Sequence, residues 1–125
     1  MTYEPKDAFR AWDDENESYC LDCEFYFDSS GVLYRKNINN PVSRERYLVE
    51  RCTGQQDANN IYVYENDILR FDPSTLIKET QYMKVVWCQL DHDWYIQNSN
   101  CKWALSNWDK FEYTIVGNTH YFSAN

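Results

Sequence analysis

The residue types that carry chemistry are few in this chain and lie apart. Cys20-Leu21-Asp22-Cys23 has the C-x-x-C spacing of half a zinc site or of a redox pair. Structural zinc needs two further ligands, and only Cys52, Cys88, Cys101, His92 and His120 offer a thiol or imidazole, with no second close pair among them. Ordinary thiols are the expectation, with no metal and no cofactor. Asp91-His92-Asp93 has ligand or acid–base chemistry, yet it falls between two strand patterns, where Asp and His serve as turn residues. Glu65 and Asp67 are carboxylates two positions apart, open to acid–base work or cation binding. Their structural alternative has Asp67 accepting backbone N–H bonds at the turn into Ile68, with Glu65 paired to a base. Neither histidine joins a serine or cysteine in a nucleophile signature. Gly31, Gly54 and Gly117 are isolated, so no glycine-rich loop can cradle phosphate. No enzyme is expected.

The elements that must position these residues are strands. A period of two recurs in 23–27 and 32–35 around the turn 28–31, in 46–52, in 61–64, in 67–71, and in 82–90 and 94–97 around 91–93. Residues 102–108 have the composition of a short helical turn, and 111–116 close the chain as a strand before Gly117-Asn118. The chain has 125 residues, of which sixteen are Tyr or Trp. Their rings supply the core area that a modest aliphatic content does not. Trp87, Trp94 and Tyr95 share one predicted hairpin; core packing is the expectation for these rings, with a shared stacking face as the alternative and no basic funnel beside it.

The formal charge is -8, and it is unevenly spread. Residues 1–28 hold nine acids and two bases, the remainder eleven acids and ten bases. The cluster 13–17 reads as a solvated loop, or as an acidic face for a basic partner. Nucleic-acid backbone is not an expected partner, because phosphate contacts require surplus cations. The polar start and the lack of a long apolar run predict no membrane segment. Five cysteines without a regular framework agree with a reducing, cytoplasmic setting.

Three segments together resemble the YopX family, small proteins carried mainly by bacteriophages and prophages. Phe9-Arg10-Ala11-Trp12-Asp13 is similar to its opening F-R-A-W-D. Thr53-Gly54-Gln55-Gln56-Asp57, with Tyr64-Glu65-Asn66-Asp67-Ile68 after it, is similar to T-G-x-x-D-x-N-G-x-x-I-Y-E-G-D-I. Ile115-Val116-Gly117-Asn118-Thr119-His120 resembles the closing V-I-G-N-I-H/Y. Asn60 and Asn66 replace two glycines of the pattern, and Asn is the residue other than glycine that best tolerates positive φ.

The resemblance implies a mainly β fold with little helix. Residues 1–54 would form an irregular β-rich N-terminal region with the acidic segment, and 55–125 an SH3-like small barrel. It implies no catalytic set; the shared residues look like turn and packing determinants. A protein partner or self-association is the resulting expectation, in an interaction or assembly role, with an acidic decoy of nucleic acid as the alternative.

Overall fold

The computed structural model describes residues 9–20, 25–36 and 38–121. Strand accounts for 49% and helix for 6%, far below the ~30–35% helix of an average globular protein. The mainly β class is as the alternation indicates. Eleven strands run in chain order among the described residues. They are β1 Phe9–Asp13, β2 Ser18–Tyr19, β3 Phe25–Phe27, β4 Leu33–Arg35, β5 Tyr47–Gln56, β6 Tyr62–Tyr64, β7 Asp67–Phe71, β8 Gln81–Cys88, β9 Asp93–Gln97, β10 Lys102–Ala104 and β11 Tyr113–Asn118. The described residues divide into two compact units, 9–50 and 51–121.

The strand order is β2-β1-β5-β6, with β1, β2 and the first residues of β5 in the first unit and β6 paired to the later residues of β5 in the second; β3–β4 is a separate hairpin of the first unit. The β1–β2 pair was not expected. It pairs Trp12 with Tyr19 and Asp13 with Ser18, and Glu17 turns the chain at φ 52°. The β3–β4 hairpin is the expected one. Asp28 Oδ1 accepts the N–H groups of Ser30 and Val32 at 2.9 Å each, and Gly31 takes φ 85°. That carboxylate is held below its usual pKa, chiefly by the Val32 N–H.

The second unit carries a five-stranded antiparallel sheet, order β10-β9-β8-β7-β11, curled as a half-barrel. Alternation does the sorting. Leu69 opposes Met83 and Val85 opposes Ile96, and all four are fully buried in one cluster with Val63, Phe71, Leu105 and Tyr113. The Phe71 ring lies 4.9 Å from Trp108 and 5.5 Å from Tyr113, so aromatic rings fill the centre of this core.

Two local expectations change. Residues 102–104 are a strand, β10, whose Trp103 opposes Ile96 and adds its indole to the core; only 105–107 form a 3-10 turn. Three residues are too few for a period of two to stand out. Phe111 is likewise no strand residue. It lies in a second 3-10 turn, Lys110–Glu112, started by a reciprocal capping box between Asp109 and Glu112.

Candidate interaction surface

Within the first unit, the opening motif builds two ion-pair sites. Asp13 is 4% exposed, which corrects the reading of 13–17 as a wholly solvated loop. Its oxygens accept Nε and Nη2 of Arg46 at 2.9 Å each, and also the N–H groups of Glu15 and Asn16. The Arg46 fork is the main reason its carboxyl titrates well below the usual range. Asp14, Glu15 and Glu17 remain exposed.

Arg10 donates from Nε to Glu50 Oε1 at 2.8 Å, and the Tyr19 hydroxyl donates to the same oxygen at 2.7 Å. The Arg10 guanidinium also lies 4.3 Å from the Tyr19 ring centroid. Trp12 meets Tyr19 edge-on at 5.0 Å, and Phe9 packs 5.1 Å from Phe27. Glu50, wholly buried, and Arg46 were not among the residues singled out from the sequence. Their partners lie 40 and 33 positions away, so only the strand pairing identifies them.

The middle and closing motifs converge in the second unit, and their carboxylates hold main chain. Asp57 is fully buried. It accepts the N–H groups of Asn59 at 2.9 Å, Ile61 at 3.0 Å and, from the closing strand, Ile115 at 2.9 Å. Ala58 N–H donates to Tyr113 O as well, so the 57–60 turn covers the outer edge of β11. Burial, then the nearby Asp57 charge, push the Tyr113 hydroxyl up to about 12.

Asp67, 2% exposed, accepts the Tyr64 N–H at 2.8 Å, a backbone bond across the turn into β7. Glu65 accepts Arg51 N–H at 3.3 Å, with the Arg51 guanidinium 3.7 Å away. Asn60 and Asn66 hold φ 63° and 72°, the left-handed conformation expected where the pattern has glycine. Gly54, at φ 84°, sits in a bulge of β5 between Cys52 and Gln56, where Gln55 N–H bonds to Thr53 Oγ1. Gly117 lies at the bulge of β11, opposite the fully buried Ile68, and Asn118 opposes Asp67.

The remaining chemical candidates disperse. Asp91 and His92, the latter at φ 51°, lie in the turn before β9, which Asp93 opens; Asp91 accepts the Tyr95 hydroxyl and Asp93 accepts the Trp94 N–H. The Asp91 bond leads the causes that push Tyr95 up to about 12. His120 donates its backbone N–H to Asn118 Oδ1. Cys20, Cys52, Cys88 and Cys101 are half-buried thiols outside any disulfide, and Cys23 lies outside the described residues. Among the described residues, no three His, Cys, Asp or Glu stand together as metal ligands. No helix there is long and apolar enough to cross a membrane.

The surface of the second unit is built from aromatic rings and charges. Trp87 opposes Trp94, with centroids 5.1 Å apart, and Arg51 lies 4.9 and 5.3 Å from the two rings. Tyr95 follows Trp94 and therefore points to the opposite sheet face, under Lys102 at 4.8 Å. The three rings do not form a common platform. Elsewhere in this unit a cleft of about 210 Å³ opens between Asp72, Ser74, Ile77, Trp108, Phe111 and Glu112. Phe111 is 73% exposed at its edge, and Leu76, in the loop that supplies Ser74 and Ile77, is 79% exposed.

The family model described as YopX protein matches residues 8–123. Two solved structures are similar over nearly the full length. Protein EF1440 from Enterococcus faecalis has 20% identity and a TM-score of 0.60, over 90% of this chain and 92% of that one. Protein yopX from Bacillus subtilis has 17% identity and a TM-score of 0.63, over 92% and 94%. At these identities the likeness concerns the fold. No curated protein matches this chain.

Proposed function

The chain belongs to the YopX family, and from that premise we propose that it is a non-enzymatic protein-interaction module. The observation that carries this reading is the exposure of Leu76 and Phe111 around the acidic–aromatic cleft. Large apolar side chains gathered at a concave, polar-rimmed surface are the usual anchors of a protein contact. The motif carboxylates agree with a non-catalytic role. Asp57 and Asp67 hold backbone N–H groups, while Asp13 holds Arg46.

The test uses tagged chain, wild type and the double variant Leu76→Ser/Phe111→Ser, in sedimentation velocity and in capture from bacterial lysate. Both positions are exposed, so melting should stay within about 0.5 kcal/mol of wild type. A defined partner, or a second copy, bound by wild type and lost from the variant is the expected result. A monomer without a partner, or a variant that keeps the partner, would sink the reading.

The decoy alternative draws on the exposed Asp14, Glu15 and Glu17. Arg46, bonded to Asp13, also comes within 3.5 Å of Glu15, which leaves this turn a weaker anionic surface than its sequence suggests. Neutralising 14, 15 and 17 in the same capture is therefore expected to leave the partner bound. Its loss would favour the decoy.

A further inference from the structure

We propose that the cleft between Asp72 and Glu112 receives an arginine side chain of a partner polypeptide, an inference that rests on the interaction-module reading. Its volume, about 210 Å³, is below the ~300–1,000 Å³ of small-molecule pockets and suits one inserted side chain. Buried Ile77 and half-buried Trp108 offer apolar surface to an aliphatic stem, and the two carboxylates offer acceptors to a cationic head.

The acceptors are not saturated. Asp72 is ion-paired with Arg70, whose Nε lies 3.2 Å from its Oδ1 outside hydrogen-bond alignment, so this carboxylate keeps acceptor capacity. Glu112 uses Oε1 for the Asp109 N–H. The Trp108 ring is fixed by packing 4.9 Å from Phe71 and 4.8 Å from Trp103. Phe111 already has the Lys110 ammonium 5.2 Å from its centroid, and that ammonium is tied to Asn60 Oδ1.

The protein's own arginines show the recipe three times. Arg10 has Glu50 at 2.8 Å and the Tyr19 ring at 4.3 Å. Arg46 has Asp13 at 2.9 Å and the Tyr47 ring at 5.1 Å. Arg51 has Glu65 at 3.7 Å and the Trp87 ring at 4.9 Å. Each joins a carboxylate to an aromatic ring around one guanidinium, and the cleft assembles two carboxylates and two rings. A planar guanidinium stacks on rings and forks onto carboxylates at once, which an ammonium does not. Residues 51–121 hold nine acids against six bases, so the unit that carries the cleft is itself net negative and favours a basic partner.

The experiment titrates the 15N-labelled full chain with N-acetyl-arginine amide, its neutral isostere N-acetyl-citrulline amide, and N-acetyl-lysine amide. Saturable shifts of the Trp108 indole N–H and the Ser74 and Phe111 amides are expected with arginine. Citrulline should bind about tenfold more weakly, the worth of one charge-assisted contact. The double variant Asp72→Asn/Glu112→Gln should lose a similar factor while melting as wild type, since Gln keeps an acceptor for the Asp109 N–H. Equal binding of arginine and citrulline, equal binding of lysine, or no saturable shift at the cleft would overturn the inference. Partner capture that depends on Leu76 and Phe111 without an arginine response sinks this inference alone. An arginine response without any partner sinks the module reading and, with it, the partner polypeptide proposed here.

Discussion

At the scale of single residues, Asp57 and Asp67 act as backbone acceptors in places where no second strand is available. Asp57 gathers three N–H groups from two stretches of chain more than fifty positions apart. Asp57→Ala leaves those buried donors without an acceptor, and a loss of about 3 kcal/mol or more is expected in urea unfolding. Asp67→Ala should cost on the order of 1–3 kcal/mol for the Tyr64 bond. A change below about 0.5 kcal/mol at both positions, the level of an ordinary surface substitution, would contradict this assignment. Asp67 was legible in the sequence because its bond spans a local turn. Glu50 and Arg46 were not, because an acid or base inside a strand-like run reveals its partner only once β1 and β5 are known to be neighbours.

Turns, at the scale of elements, set the register. Asn66 donates its N–H to Val85 O and accepts the Thr119 N–H at its carbonyl, 2.9 Å each, which pins the residue at φ 72°. Asn66→Gly, which takes positive φ freely, should therefore change the melting free energy by no more than about 0.5 kcal/mol. Asn66→Val should cost about 1–3 kcal/mol, because a β-branched side chain is strained at positive φ. Equal melting of the two variants would mean that the turn does not require this conformation. The same logic explains what could be read in advance. The β3–β4 and β8–β9 hairpins and β7 announce themselves by alternation between turn residues. By contrast β1, β2 and β10 are short or bordered by charge, and they exist because neighbouring strands supply their hydrogen bonds. Tertiary pairing, not local propensity, makes them strands. The capping box at Asp109 and Glu112 was written in the sequence as D-x-x-E, and it moves Phe111 out of the strand and onto the surface.

For the whole molecule, the charge of -8 is a poor guide to where ionisation matters for folding. Each unit holds its own titrating tie, one sensitive to acid and one to alkali. In the 9–50 unit, the Arg46 fork lowers the folded pKa of Asp13 below its unfolded value of about 3.9. Its stabilisation is complete above that pH and is lost as pH falls through the folded value. In the other unit, Tyr113 is raised to about 12, against about 10 in the unfolded chain. The unfolded state releases that proton first, so stability declines between these two values as pH rises. Trp12 lies in one unit and Trp108 in the other, so their indole N–H resonances serve as a probe of each. Asp13→Asn should weaken the Trp12 signal's resistance to urea at pH 7, and its difference from wild type should shrink steadily below pH of about 4. Tyr113→Phe should lose less stability than wild type between pH of about 10 and 12 when followed at Trp108. If the Asp13→Asn difference persists unchanged into strong acid, the Arg46 pair is not what stabilises the first unit. If Tyr113→Phe follows the wild-type alkaline decline, the buried hydroxyl is not the group that sets it.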